Sequence, residues 1–120
     1  MLLMLVAGYA GSAARPVLQE SPTKKPPLSS DDLARAKSLF AGKCARCHGP
    51  DGRGQTVLGQ MLAAPDFTDR KWWKDHDKDT ELIKSITNGN GDMPAFGKKL
   101  SKTEISLLAS YVRQFSKAEE

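Results

Sequence analysis

The sequence predicts an all-α domain, and three observations carry that expectation. Apolar residues recur at helical spacing in three stretches, and serines with acids behind them stand where those stretches begin. No run of β-branched residues alternates with a period of two. A length of 120 residues suits one domain. Two cysteines permit one intramolecular bridge at most, which excludes a disulfide-stapled scaffold. No apolar run approaches the ~20 residues of a membrane-spanning helix, which excludes a multi-helix membrane protein.

The chain divides into three segments. Residues 1–14 read as a secretory signal peptide or an uncleaved anchor: Met1–Gly11 is apolar, and Ser12-Ala13-Ala14 supplies the small residues of a cleavage site. No Lys or Arg precedes the apolar run, which departs from the usual pattern. Residues 15–28 hold four of the seven prolines and read as an extended, flexible linker. Residues 29–120 form the folded domain, short enough to need help from a metal or cofactor.

Within that domain the first helix is expected from Ser29 or Ser30 to Lys43. Asp31 and Asp32 lie against its positive end, and Leu33, Ala36, Leu39 and Phe40 form its inner face. Gly49–Gly59, with four glycines, reads as a loop. A short helical turn is expected around Asp69–Lys74. A second helix runs from Asp79 or Thr80 to Asn88, with Leu82, Ile83 and Ile86 inward and Gly89 ending it. Asn90–Lys99 is again a loop. The last helix opens on Ser101-Lys102-Thr103-Glu104, a capping-box pattern, and buries Ile105, Leu108, Val112 and Phe115 with Tyr111 beside them.

The net charge of +4 says little about partners. From residue 29 onward 15 basic and 13 acidic side chains are interleaved, and no basic stripe marks one element. Nucleic acid is not an expected partner.

The chemistry is concentrated at Cys44-Ala45-Arg46-Cys47-His48, the C-x-x-C-H attachment signature of c-type haem. Two thiols three positions apart at a helix end can each add across one vinyl group of a porphyrin, and the following histidine can reach the metal. Three other readings compete. A thioredoxin-like redox pair needs a βαβ setting that the pattern lacks. A structural zinc site would have only Cys44, Cys47, His48 and the distant His76. A plain Cys44–Cys47 disulfide is chemically open in an exported protein. Haem agrees with the helical, exported and cofactor-dependent character of the rest.

A sixth ligand for the iron has to come from elsewhere. Met93 stands in Asn88-Gly89-Asn90-Gly91-Asp92-Met93-Pro94-Ala95-Phe96-Gly97, where glycines permit close backbone approach and Pro94 prevents a helix. Met61, among Leu58, Leu62 and Ala63, reads as core filler. His76, flanked by Lys74, Asp75, Asp77 and Lys78, reads as a side chain on a solvated face.

Cys44-Ala45-Arg46-Cys47-His48-Gly49 together with Asn88-Gly89 and Met93-Pro94-Ala95-Phe96-Gly97 resembles the class I monohaem cytochrome c family of bacteria, over nearly all of residues 30–116. The resemblance implies three to five helices wrapped around one covalent haem c. It implies thioethers at Cys44 and Cys47, and iron ligated by His48 and Met93. Phe40, Ala36, Leu108 and Tyr111 match the family's crossing of first and last helices, with Ala36 in place of a common glycine. Pro65 is similar to the proline whose carbonyl accepts the Nδ1–H of the ligand histidine. Trp72, Trp73 or Arg70 could bond a haem propionate.

With both axial positions filled, no catalysis at the metal is expected. The expected role is that of a monomeric periplasmic one-electron carrier, docking briefly on donor and acceptor complexes around an apolar rim of Gly49, Met93, Ala95 and Phe96. Arg46, Arg53, Lys98 and Lys99 would steer an acidic partner. The alternatives are a haem c subunit tethered to a larger oxidoreductase, and a sensory haem protein in which a small ligand displaces Met93.

Overall fold

The computed structural model describes residues 25–117, together with Gly8 and Gly11. Apart from those two glycines, the expected leader and the expected linker up to residue 24 lie outside the described residues. Six α-helices follow in order: α1 (Ser30–Lys43), α2 (Ala45–His48), α3 (Val57–Met61), α4 (Arg70–Asp75), α5 (Asp79–Asn88) and α6 (Lys102–Gln114), with a closing 3-10 turn at Phe115–Lys117. Among the described residues the only β feature is an isolated antiparallel bridge between Asn90 and Met93. The architecture is all-α as expected. Its helices among these residues number six, not the three to five expected, because Ala45–His48 forms a separate short helix after Cys44 and Val57–Met61, inside what reads as a glycine loop, is also helical.

The core is the crossing of α1 with α6. Ala36 and Ala109 are both 0% exposed, so two small side chains let the helices approach closely. Phe40 and Leu108, at 2% and 1%, fill the space beside them. The Phe40 ring meets Tyr111 and Phe115, each at 5.3 Å between centroids. Arg35 of α1 donates to Glu104 of α6 at 2.6 Å. Ala36 and Phe40 are the buried residues of α1. Leu33, expected inward, is 36% exposed, because α1 is covered only where α6 crosses it and its first turn stands clear.

Local signals place the helix ends. Ser29 caps α1 by accepting the Asp32 N–H at 3.1 Å. At α6 the capping box is complete: Ser101 Oγ accepts the Glu104 N–H at 3.1 Å, and Glu104 accepts the Ser101 N–H at 2.8 Å. The Ser101 N–H, and after it Arg35, hold the Glu104 carboxyl below the usual carboxylate range. A carboxyl depressed on folding stabilises above its unfolded pKa, and that contribution fades as pH falls through the folded value. Ser101→Ala is expected to lower the unfolding free energy by about 1 kcal/mol, read as a lower denaturant midpoint at constant slope.

Arg113, in the last turn of α6, fastens the α4–α5 connection. It pairs with Asp79 at 2.6 Å, donates to the Asp77 carbonyl at 2.5 Å and lies 5.1 Å from the Trp73 ring. Lys25, in the segment read as linker, donates to Ser110 Oγ at 2.6 Å and lies 3.7 Å from Asp79, so the residues leading into α1 touch the outer side of α6.

Candidate haem site

Cys44 is the joint between two helices. It caps α1, donating its N–H to the Phe40 carbonyl at 2.9 Å, and it also opens α2. One turn later the His48 N–H reaches the Cys44 carbonyl at 3.0 Å, and Gly49, at φ 77°, turns the chain away. Cys44, Cys47 and His48 are all half-buried, and both cysteines are free thiols. Burial, opposed in part by Lys43, pushes the Cys44 thiol up to about 11.

A platform under this turn comes from α3, which the sequence reading treats as loop. Thr56 caps α3 by accepting the Gly59 N–H at 2.9 Å. Its hydroxyl lies 2.8 Å from the Arg46 carbonyl and 3.0 Å from that of Cys47, so one side chain ties the α3 cap to the cysteine turn. Gly59 packs against the Cys47 carbonyl so closely that a Cβ there would overlap it. The available signal was a threonine followed by Val57, Leu58, Met61 and Leu62 at helical spacing. The four neighbouring glycines obscured it.

The His48 ring stacks on Phe67, centroids 4.8 Å apart and planes 21° from parallel. Phe67 is itself fixed by its N–H to the Gly52 carbonyl at 2.8 Å and by the Trp73 indole donating to its carbonyl at 2.7 Å. Burial lowers the His48 pKa, favouring the neutral imidazole that binds metals. Its Nδ1 is buried without a hydrogen-bond partner. The bond expected from Nδ1 to the Pro65 carbonyl is therefore not made, and stacking on Phe67 sets the plane of the ring instead.

Met93 stands in the loop after α5. Gly89 ends α5 at φ 76°, and a Cβ there would stand 2.6 Å from the Met93 carbonyl oxygen. Asn90 and Met93 exchange backbone hydrogen bonds of 3.1 and 3.0 Å, while Phe96 and Gly97 donate to the Ile86 and Thr87 carbonyls at 2.9 and 3.0 Å. The loop is thus laced to the last turn of α5. Met93 and Cys44 are half-buried, and both pack on the same core cluster that holds Phe67 and Phe96.

Several secondary expectations are corrected. Met61 is 74% exposed, as α3 turns it outward, so it does not fill the core. Phe96 and Gly49 are buried, leaving Ala95 exposed and Met93 partly so; the expected rim is not an apolar surface. Val57 and Met61, one turn apart on α3, are exposed apolar side chains, with Leu62 at the end of that helix also exposed. Trp73 is core, its indole bonded to Phe67. His76 is exposed but has an apolar neighbour: its ring stacks on Trp72 at 4.5 Å.

An imidazole with a buried, unpartnered nitrogen beside two free thiols fits a covalently attached haem. Comparison with known proteins agrees. Residues 31–112 match the family model described as cytochrome c oxidase, cbb3-type, subunit III. The chain belongs to the class I cytochrome c family.

This cytochrome c is 36% identical over 108 residues to the cbb3-type cytochrome c oxidase subunit FixP of Azorhizobium caulinodans, covering 89% of this chain and 32% of the relative. It is 39% identical over 87 residues to the subunit CcoP of Azospirillum brasilense, covering 69% of this chain and 29% of that relative. The chain thus spans about a third or less of these oxidase subunits. Against cytochrome c6 of Diacronema lutheri it is 31% identical, and the match covers 68% of this chain and 93% of the relative. Among solved structures, the KustC0563 c-type cytochrome superposes with a TM-score of 0.61 at 34% identity, over 67% of this chain and 95% of that one. The cofactor of this cytochrome c is one covalently bound haem c, and its role is electron transfer.

Proposed function

We propose that this cytochrome c is an electron-relay domain serving a cbb3-type oxidase on the periplasmic side of the membrane. The observation that carries the reading is the match of residues 31–112 to the subunit III family, joined by the FixP and CcoP relatives. Cys44 and Cys47 hold the haem by thioethers, and His48 and Met93 bind its iron. The haem supplies a one-electron couple when bound. Half-buried His48, its pKa lowered by desolvation, would offer a ring nitrogen. Met93 offers a soft thioether that favours the reduced state and raises the potential. With His48 and Met93 both holding the iron, no place would be left on it for an outside molecule, so the domain would pass electrons and perform no bond chemistry of its own. Val57 and Met61 give the partner an apolar contact next to Cys47, with exposed Arg46 beside it.

A second reading, a free periplasmic carrier, is favoured by one observation. The match covers 93% of cytochrome c6 and 95% of the KustC0563 cytochrome, so a domain of this size also occurs as a separate chain.

Native fractionation separates the two readings. The haem-stained polypeptide is expected to travel with a terminal oxidase, and its deletion to slow electron input to that oxidase. A fully soluble protein whose deletion leaves oxidase turnover unchanged would transfer the assignment to the free carrier. Both readings expect low-spin spectra with a weak far-red methionine–iron band, and pigment that stays with the chain through denaturing extraction.

A further inference from the structure

A cavity of about 290 Å³ opens between α4, α5 and the start of the Met93 loop. Its position relates it to both His48 and Met93, the ligands proposed for the iron. One wall is Trp72, whose ring lies 5.2 Å from Phe67, the ring on which His48 stacks. Another is Asn90, which exchanges two backbone hydrogen bonds with Met93. Ala63, Pro65 and Leu82 complete the apolar lining, and His76, Ser85 and Glu81 bring polar groups to it. His76 is held there by its stack on Trp72, centroids 4.5 Å apart and planes 27° from parallel.

A haem carries its vinyl groups and its two carboxylates on different edges of the ring. Tethering the vinyl edge at Cys44 and Cys47 sends the carboxylates toward residues away from that turn. The cavity lies between elements that lead to His48 on one side and Met93 on the other, and it is lined with N–H and O–H donors. The geometry points to His76 as a binding residue for a haem carboxylate, its imidazole N–H donating to the carboxylate with Ser85 beside it. This inference rests on the haem reading above. It extends the expected propionate partners, Trp72, Trp73 or Arg70, to a residue that reads as solvated in the sequence.

The physical consequence is a contribution to the reduction potential. A carboxylate near the iron stabilises the more positive ferric state, and a donor that disperses its charge opposes that effect. Glu81, exposed on the same cavity, adds negative charge and acts in the opposite sense.

The test uses the holoprotein and reads the ferrous-to-ferric ratio at a fixed ambient potential, with denaturing extraction of the wild type first. His76→Ala is expected to lower the ratio several-fold, His76→Gln, which keeps an N–H donor, to retain most of it, and Glu81→Gln to raise it. Lys71→Ala, an exposed cation on α4 outside the cavity, sets the size of a nonspecific charge effect. A His76→Ala ratio equal to wild type, or shifted no more than that of Lys71→Ala, overturns the His76 assignment and leaves the haem reading intact. Pigment lost from the wild type on extraction overturns the haem reading, and the His76 assignment falls with it.

Discussion

Met93→Ala is expected to leave the haem attached, open one axial position and lower the reduction potential. Attachment survives because Cys44 and Cys47 belong to the joint of α1 and α2, remote in sequence from the loop after α5. On the proposed ligation the potential would fall because the thioether that would favour the reduced iron is gone. Axial-ligand identity spans about 0.8 V across haem proteins, so a drop on the order of 0.1 V or more is the expected scale. Carbon monoxide is expected to bind the ferrous wild type poorly and the ferrous variant readily. Met61 offers no ready substitute, since α3 leaves it 74% exposed. An unchanged potential together with unchanged carbon monoxide affinity would mean that another group is the ligand.

Gly59→Ala should be the most damaging small substitution in the domain. A Cβ at this position overlaps the carbonyl oxygens of Cys47 and Gly54, both backbone atoms that no rotamer change can move aside. Accommodation requires α3 to lift from the cysteine turn, breaking the Thr56 contacts to Arg46 and Cys47. Overpacking of this kind costs about 2–3 kcal/mol, which for a domain of this size lowers Tm by roughly 10–20 °C. The yield of covalent haem should fall with it, because α3 is what sets the shape of that turn. Gly42→Ala is the internal contrast. Gly42 is a helical position with nothing within 4 Å of its added Cβ, so alanine there should stabilise by about 0.5–1 kcal/mol. Equal midpoints for the two variants would refute the account of Gly59.

Much of this was readable before any coordinates. Helix ends written in side chains were legible: Ser101 and Glu104 at α6 and Gly89 after α5 to the residue, and the start of α1 to within one, Ser29 or Ser30, with Ser29 the cap. Such caps are local, and their chemistry survives any tertiary context. The cysteine turn was legible because its spacing is itself the function. Features set by long-range contact were not. Leu33 lies on the correct stripe, yet it stands in the first turn of α1, away from the buried Ala36 and Phe40, and is left exposed. Thr56 and α3 were hidden by glycines that serve close packing and not flexibility, as Gly59 against Cys47 makes plain. His76 sits among charged neighbours in sequence, and only the fold of α4 lays its ring on Trp72. The Pro65 carbonyl and the His48 ring are each placed by separate elements, and no sequence pattern specifies their orientation.

The crossing of α1 with α6 also sets an order of events. Phe40 packs in one cluster with Leu108, Tyr111 and Phe115, more than sixty residues further along, so the core cannot close until α6 has been made. A chain emerging from its amino end presents Cys44 and Cys47 well before α6 arrives to seal the helix that carries them. During that interval both thiols are open to solution and to whatever machinery modifies them. The last helix therefore works as a closing latch, and the time it takes to dock defines how long the unfinished protein stays open for maturation.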